Sequence, residues 1–164
     1  IVPSFSFFWH YYTKINFTAT ENEIAKLDDF LDRRGCLLVF TSPENVDNLT
    51  NLREFLAEWG IGFKGDTYIK DTDNAVSTDG RSIVAKYAEE GTLGASLYTD
   101  IATLDTMPKT ILKNAMPIDI LFEENSKLNG TIQVSPVLLS HDSAKALCDG
   151  EESHIGSVPL MTIS

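Results

Sequence analysis

The pattern of apolar and polar positions is clearest between Thr20 and Gly60. Thr20 and Glu23 are spaced as a capping box, in which the threonine hydroxyl accepts from the amide of the third residue on and the glutamate accepts from the cap's own amide. Apolar residues then recur at helical spacing, at Ile24, Leu27, Phe30 and Leu31. Arginines and a glycine follow them, which is a common helix end. The pattern predicts a helix from Thr20 to Arg34.

An uninterrupted apolar run, Cys36–Phe40, comes next and is bounded by Gly35 and Pro43. A strand-length run without polar positions is typical of a parallel strand covered on both faces. Helical spacing returns over Asp47–Trp59, with one apolar face made of Leu49, Leu52, Phe55, Leu56 and Trp59. A helix, a buried strand and a second helix in succession predict an α/β layered domain.

The remaining pattern is weaker and richer in strands. Alternating or apolar segments predict strands over Ile61–Lys70, Ser82–Ala88, Ile118–Phe122, Thr131–Leu139 and Val158–Ile163, with Pro136 favouring an edge or a bulge in the fourth. Leu97–Leu104 is compatible with a short helix, and Ser143–Cys148 is expected to be a short helix at most. The polar stretch Asp71–Gly80 predicts a loop. The pattern leaves the structure of 1–19 and 89–117 open.

Composition narrows the class of protein. The 164 residues suffice for one domain, and hydrophobic residues make up 43% of them. A formal net charge of −11 argues against binding to nucleic acid or to anionic membranes, because phosphates need concentrated Lys and Arg. The chain starts without Met and ends inside an expected strand. We therefore expect a single domain, 1–164, excised from a longer protein, and any signal or membrane anchor would lie outside this chain.

Two features of the sequence leave alternatives open. Cys36 and Cys148 are best interpreted as two buried free thiols, with a disulfide between them as the less favoured alternative. The N-terminal segment is crowded with aromatic residues, at Phe5, Phe7, Phe8, Trp9, Tyr11 and Tyr12. Core packing is the simplest interpretation of these rings, and an exposed surface for a partner or a ring-bearing ligand is the alternative.

Candidate binding residues follow the strand ends. Ligands of open α/β sheets bind beyond the carboxyl ends of the strands, and the residues there are Ser42 and Glu44 after the first strand and His141 and Asp142 after the Thr131–Leu139 strand. If these strands are parallel, all four residues share one rim. His141 is best interpreted as a solvated loop histidine, with ligand contact and catalysis as less favoured alternatives.

The sequence shows no catalytic or metal motif. It has no nucleophile elbow and no phosphate loop, and Cys36 lies at the entrance to a strand, which is the wrong end for a nucleophile. The Asp71 loop does not fit an EF-hand, because Ala75, Val76 and Ser82 stand where an oxygen ligand, a glycine and a glutamate are needed. The histidines and cysteines lack the spacing of a zinc site. We expect no cofactor and no metal.

The residues between Thr20 and Ile61 also carry a family resemblance. The acidic helix start, Gly35, the apolar run up to Phe40 and the helix exit Trp59-Gly60-Ile61 resemble the extracytoplasmic domain of gliding-motility-type ABC transporter auxiliary proteins. The segment Gly156–Met161 resembles a late segment of the same family. Arg34 stands where that family has the first of two glycines.

The resemblance implies a flavodoxin-like or class I glutamine amidotransferase-like sheet with helices on both faces. It also implies a non-catalytic, membrane-anchored auxiliary or ligand-binding module on the extracytoplasmic face, acting beside an ABC permease subunit in transport. The ligand, if any, is an unknown small molecule, and the membrane is reached only through segments outside this chain. The alternative is an amidotransferase-like hydrolase on the same fold, which would need a nucleophile at a strand-to-helix turn.

Overall fold

A computed structural model describes residues 19–46, 48–89, 94–122 and 132–164. The helices in this part of the chain are α1 (Glu21–Asp32), α2 (Pro43–Val46), α3 (Thr50–Glu58) and α4 (Ala95–Ile101). The strands are β1 (Ile61–Phe63), β2 (Thr67–Lys70), β3 (Ser82–Tyr87), β4 (Thr110–Lys113), β5 (Ile118–Ile120), β6 (Ser135–Leu139), β7 (Lys145–Cys148), β8 (Glu151–His154) and β9 (Pro159–Ile163). None of the described helices is long and apolar enough to cross a membrane.

The strands form three antiparallel groups. β1 pairs with β5, β7 lies between β2 and β8, and the largest sheet has the order β4-β3-β6-β9. Every ladder among these strands is antiparallel. The strands curl into a half-barrel, and helix accounts for only about 24% of the structure.

The expected layered α/β, flavodoxin-like fold is therefore wrong. That fold was expected to centre on an interior strand at Cys36–Phe40. These residues have no regular secondary structure. Leu38 is 66% exposed and Phe40 is 85% exposed. An apolar run becomes an interior strand only when neighbouring strands pair with it and other elements cover both of its faces. In the described part of the chain no strand pairs with this run.

Hydrophobic burial is concentrated in the half-barrel instead. One cluster of buried side chains joins the two larger sheets and consists of Ile69, Ile83, Ala85, Val137, Leu138, Ala144 and Leu160. Ser140 is fully buried at the end of β6, where its hydroxyl donates to the carbonyl of Gly156 (2.9 Å) and accepts from the amide of Val158 (2.9 Å). These bonds fix the approach to β9 and satisfy a polar group that would otherwise be costly to bury.

Predictions that rest on local signals fare better. The capping box of α1 is confirmed, with Glu23 Oε2 2.9 Å from the Thr20 amide nitrogen and Thr20 Oγ1 3.4 Å from the Glu23 amide nitrogen. The expected strands over Ser82–Ala88 and Val158–Ile163 are confirmed as β3 and β9, and the bulge expected near Pro136 is present in β6. The expected helix Asp47–Trp59 is confirmed only in part, as α3.

One further prediction is wrong, and another is confirmed only in part. The short helix expected over Ser143–Cys148 is the strand β7, because Asp149 and Gly150 have φ of 51° and 84° and form a two-residue turn that pairs β7 with β8. The thiols of Cys36 and Cys148 are free, but both residues are exposed and not buried. The aromatic residues at 5–12 lie outside the described residues.

Candidate ligand-binding cleft

The four residues expected to share one rim occupy two different neighbourhoods. Ser42 Oγ donates to Glu44 Oε2 (3.2 Å), and the Tyr68 hydroxyl donates to Glu44 Oε1 (3.3 Å). Burial, followed by the nearby Glu44 carboxylate, raises the pKa of Tyr68. Through these contacts Glu44 connects α2 to β2, which is a structural role.

His141 and Asp142 lie in the turn between β6 and β7. The Asp142 carboxylate is 3.4 Å from Lys86 Nζ. The backbone carbonyl of Asp142 accepts a hydrogen bond from His154 Nε2 (2.7 Å). Across the described residues, no hydrogen bond or ion pair joins this pair to Ser42 and Glu44. The reason is topological, since β6 is antiparallel to both of its neighbours and the expected parallel strand before Ser42 is absent. Ligand binding by the four residues remains a prediction.

The acidic loop after β2 is organised by one buried carboxylate. Asp71 is 2% exposed and accepts hydrogen bonds from the amides of Asp73 and Asn74, the Asn74 side chain and the Ser143 hydroxyl. Burial raises the pKa of Asp71, but the hydrogen bonds from Asn74 and Ser143 outweigh it and hold the pKa below its ordinary value. The Asp71 carboxylate therefore joins the loop after β2 to the β6–β7 turn through hydrogen bonds.

Metal binding finds no support at this loop or elsewhere in the described segments. No group of three or more His, Cys, Asp or Glu residues within them is arranged to hold a metal ion.

A cleft of about 540 Å³ lies where the three sheets meet. The cleft is lined by β5 and the residues beside it, by Thr67 and Ala146 of the middle sheet, and by the segment leading into β9. The apolar lining consists of Pro117, Ile118, Ile120, Leu121, Ala146, Ile155, Val158 and Pro159. The volume of the cleft falls in the range of small-molecule sites, and such sites have mostly apolar linings with a few polar groups.

Three of the described residues that line the cleft are polar. The Thr67 hydroxyl donates to the carbonyl of Gly65 (3.1 Å), so it is already engaged. Lys64 and Asp119 line the cleft as well, and the side chain of neither forms a hydrogen bond or an ion pair with another described residue, although the backbone of Asp119 pairs with Gly62 of β1. The cleft therefore offers one cation and one anion beside an apolar surface. It can bind a molecule of mixed character without any rearrangement of existing ion pairs.

The sequence did not reveal this cleft. Ile118 and Ile120 were recognised as strand residues, yet nothing local indicates that they face Ala146 and Val158. Their shared position in the cleft depends on pairings between distant segments. The available signal was the Asp-Gly turn at 149–150, which would have placed β7 and β8 as a hairpin and Ala146 in a sheet.

Comparison with known proteins adds no assignment. No protein-family model matches the chain, and no curated protein matches it. The resemblance to transporter auxiliary proteins therefore stays a prediction that rests on the residues between Thr20 and Ile61.

Proposed function

We propose that this domain is a non-catalytic binding module and that the cleft at the junction of the three sheets is its ligand site. The observation that carries the proposal is the cleft itself, with its apolar walls and the two charged side chains of Lys64 and Asp119. Binding needs shape and a few convergent polar groups. Catalysis by acid, base or nucleophile needs a mutually oriented pair of reacting groups. Among the described residues that line the cleft, Thr67 has the one hydroxyl, and it already donates to a backbone carbonyl.

The ligand class follows from the lining. An apolar body matches Ile118, Ile120 and Val158, while a carboxylate can pair with Lys64 and an ammonium group with Asp119. A short apolar peptide with free termini has all three features and fits the volume. The proposed ligand is therefore a short apolar zwitterion of this kind.

The transport setting is a separate part of the proposal and rests on the family resemblance. In it the domain works on the extracytoplasmic face of the cell membrane as an auxiliary of an ABC transport system, next to the permease subunit. Anchoring would come from segments outside this chain. The resemblance also implied an amidotransferase-like fold, which the antiparallel sheets contradict. The hydrolase alternative needs a nucleophile at a strand-to-helix turn of that fold, and the proposal does not include it.

Calorimetric titration with trileucine tests the ligand site. The proposal expects saturable binding that weakens when either ligand charge is removed, as in N-acetyl-trileucine and trileucine amide. It also expects weaker binding for Lys64→Gln, for Asp119→Asn and for Leu121→Glu, which places a charge in the cleft wall.

Val76→Glu is the matched control, because Val76 is exposed and lies outside the cleft lining. Equal loss in this control, or binding that ignores Lys64, Asp119 and Leu121, would locate the site elsewhere. Time-dependent cleavage of trileucine that Lys64→Gln or Asp119→Asn abolishes would refute the non-catalytic assignment.

A further inference from the structure

β4 is an end strand of the four-stranded sheet. Its inner edge pairs with β3, from Ser82 opposite Lys113 to Ala85 opposite Thr110. In the described segments no strand pairs with its outer edge. Alternate residues of such an end strand direct their N–H and C=O groups away from the sheet, where another extended chain can pair with them.

The side chains of β4 separate into two faces. Thr110 and Leu112 point inward, since the Thr110 hydroxyl is 2.8 Å from the Tyr87 hydroxyl and Leu112 packs against the core cluster. Lys109, Ile111 and Lys113 are all exposed, and Ile111 is 53% exposed. With a period of two residues in a strand, Ile111 and Lys113 share the outer face, and Lys109, which lies one residue before the start of β4, continues the same spacing.

The two lysines on this face differ from other lysines of the sheets. Lys70 and Lys145 both contact Glu152, and Lys86 contacts Asp142. Lys109 and Lys113 have no ion pair or hydrogen bond with another described residue. They place two unneutralised positive charges beside an open strand edge, in a chain whose net charge is −11.

From these observations we infer that the outer edge of β4 binds an extended, acidic segment of a partner protein by β-strand addition. Backbone hydrogen bonds to the open edge would supply the affinity, and alternate side chains would supply the specificity. Two carboxylates of the partner would face Lys109 and Lys113, and an apolar side chain between them would cover Ile111. Lysines on an edge strand also prevent uncontrolled pairing with other strands. A strand with acidic side chains could still pair with this edge, because its charges are opposite to those of Lys109 and Lys113.

An NMR titration of the isotope-labelled chain tests this inference. The probe is the peptide Ser-Glu-Thr-Val-Thr-Glu-Ser with blocked termini, whose glutamates and valine lie on one face in either strand direction. We expect saturable shifts of the backbone amides at 109–113. Lys109→Glu and Lys113→Glu should each weaken binding about fivefold, the upper range for an exposed ion pair, and added salt should weaken it further.

Three controls make the result specific. A peptide with lysine in place of both glutamates and a peptide N-methylated at alternate residues should not bind, because the first reverses the charge and the second removes the backbone donors. Lys26→Glu, which changes an exposed lysine of α1, should bind as the unaltered chain does.

The inference is overturned if no saturable shifts occur at millimolar peptide, or if the N-methylated or the lysine peptide binds equally well. An equal response at 109–113 to a single-stranded oligonucleotide or to anionic vesicles would also overturn it, since the face would then recognise any polyanion. Because β4 does not line the cleft, these outcomes are independent of the proposed function.

Discussion

Cys36–Phe40 and β6 are both short apolar runs, yet they occupy opposite environments in this molecule. In β6 the side chains of Val137 and Leu138 are buried, and the strand lies between β3 and β9. In the earlier run Leu38 and Phe40 are mostly exposed to solvent. By local hydrophobicity alone, Cys36–Phe40 is the stronger candidate for an interior strand, since β6 contains a serine and a proline.

The difference teaches that pairing partners, and not the apolar character of a segment, decide which strand is interior. β6 pairs with two strands, although Pro136 interrupts its register with β9. Cys36–Phe40 has no such partners among the described residues. Substitutions in the two runs should therefore have very different effects on the free energy of unfolding.

The largest effect is expected for Leu138→Asp. Leu138 is buried in the core cluster, so the substitution places an unpaired carboxylate in an apolar environment and removes a large side chain. We expect a loss of about 4–5 kcal/mol or more in the free energy of unfolding, enough to remove most of the stability of a domain of this size. Urea denaturation followed by circular dichroism measures it. A folded variant with an unchanged midpoint would show that β6 is not the centre of the core.

A smaller and pH-dependent effect is expected for Asp71→Asn. The folded-state pKa of Asp71 is lowered, so the carboxylate contributes stability above its unfolded pKa, about 3.9, and that stability is lost as the pH falls through the lower folded value. We expect a loss of about 1–3 kcal/mol at neutral pH, because an amide cannot accept all the hydrogen bonds that the carboxylate does. As the pH falls through the folded pKa, the difference in stability between the variant and the original chain should shrink.

Denaturant titrations between pH 2 and pH 7 measure this dependence. Asp73→Asn is the matched control, because Asp73 is exposed and its carboxylate accepts none of the hydrogen bonds that join the loop to the β6–β7 turn. An Asp71→Asn variant whose stability differs from the original chain by the same amount at every pH would contradict the role given to the Asp71 carboxylate.

Both substitutions bear on how much of this fold the sequence could predict. Local signals were sufficient for α1, whose capping residues and apolar stripe lie within one segment, and for the extent of β3 and β9. Strand partners were not predictable in the same way. β3 pairs with β4 on one side and with β6 on the other, and these two strands are far apart in the chain. No residue of β3 indicates which segments will pair with it.

The cleft is harder still to predict, because it needs several of these long-range pairings at once. Thr67, Ile118, Ala146 and Val158 come from four separate segments, and their common position appears only when the three sheets are assembled. The Asp-Gly turn is the exception, since Asp149 and Gly150 are a local hairpin signal, and it outweighs the helical spacing of the residues before it.

That turn gives the next prediction, with a still smaller effect. Gly150 has φ of 84°, and a Cβ atom added there would meet no neighbour within 4 Å. Gly150→Ala should therefore cost about 1 kcal/mol, from backbone strain alone. Thermal denaturation of this variant beside Glu151→Ala, a substitution of the exposed neighbour, checks the estimate. No difference between the two variants would mean that the hairpin turn is not formed as described.

The smallest effect is expected for Leu38→Asp. Leu38 is 66% exposed, so the introduced carboxylate stays solvated and the free energy of unfolding should change by less than about 0.5 kcal/mol. The measurement is the same urea titration used for Leu138→Asp. A loss comparable to that of Leu138→Asp would mean that the run is covered in solution.

Amide hydrogen exchange tests the contrast between the two runs most directly, because it needs no substitution. The amides of 36–40 should exchange within minutes at neutral pH, close to the rate of an unstructured peptide. Those of 137–139 should be slowed by orders of magnitude and exchange with the global unfolding of the domain. Protection of 36–40 equal to that of 137–139 would contradict the account, since it would make the earlier run an interior strand after all.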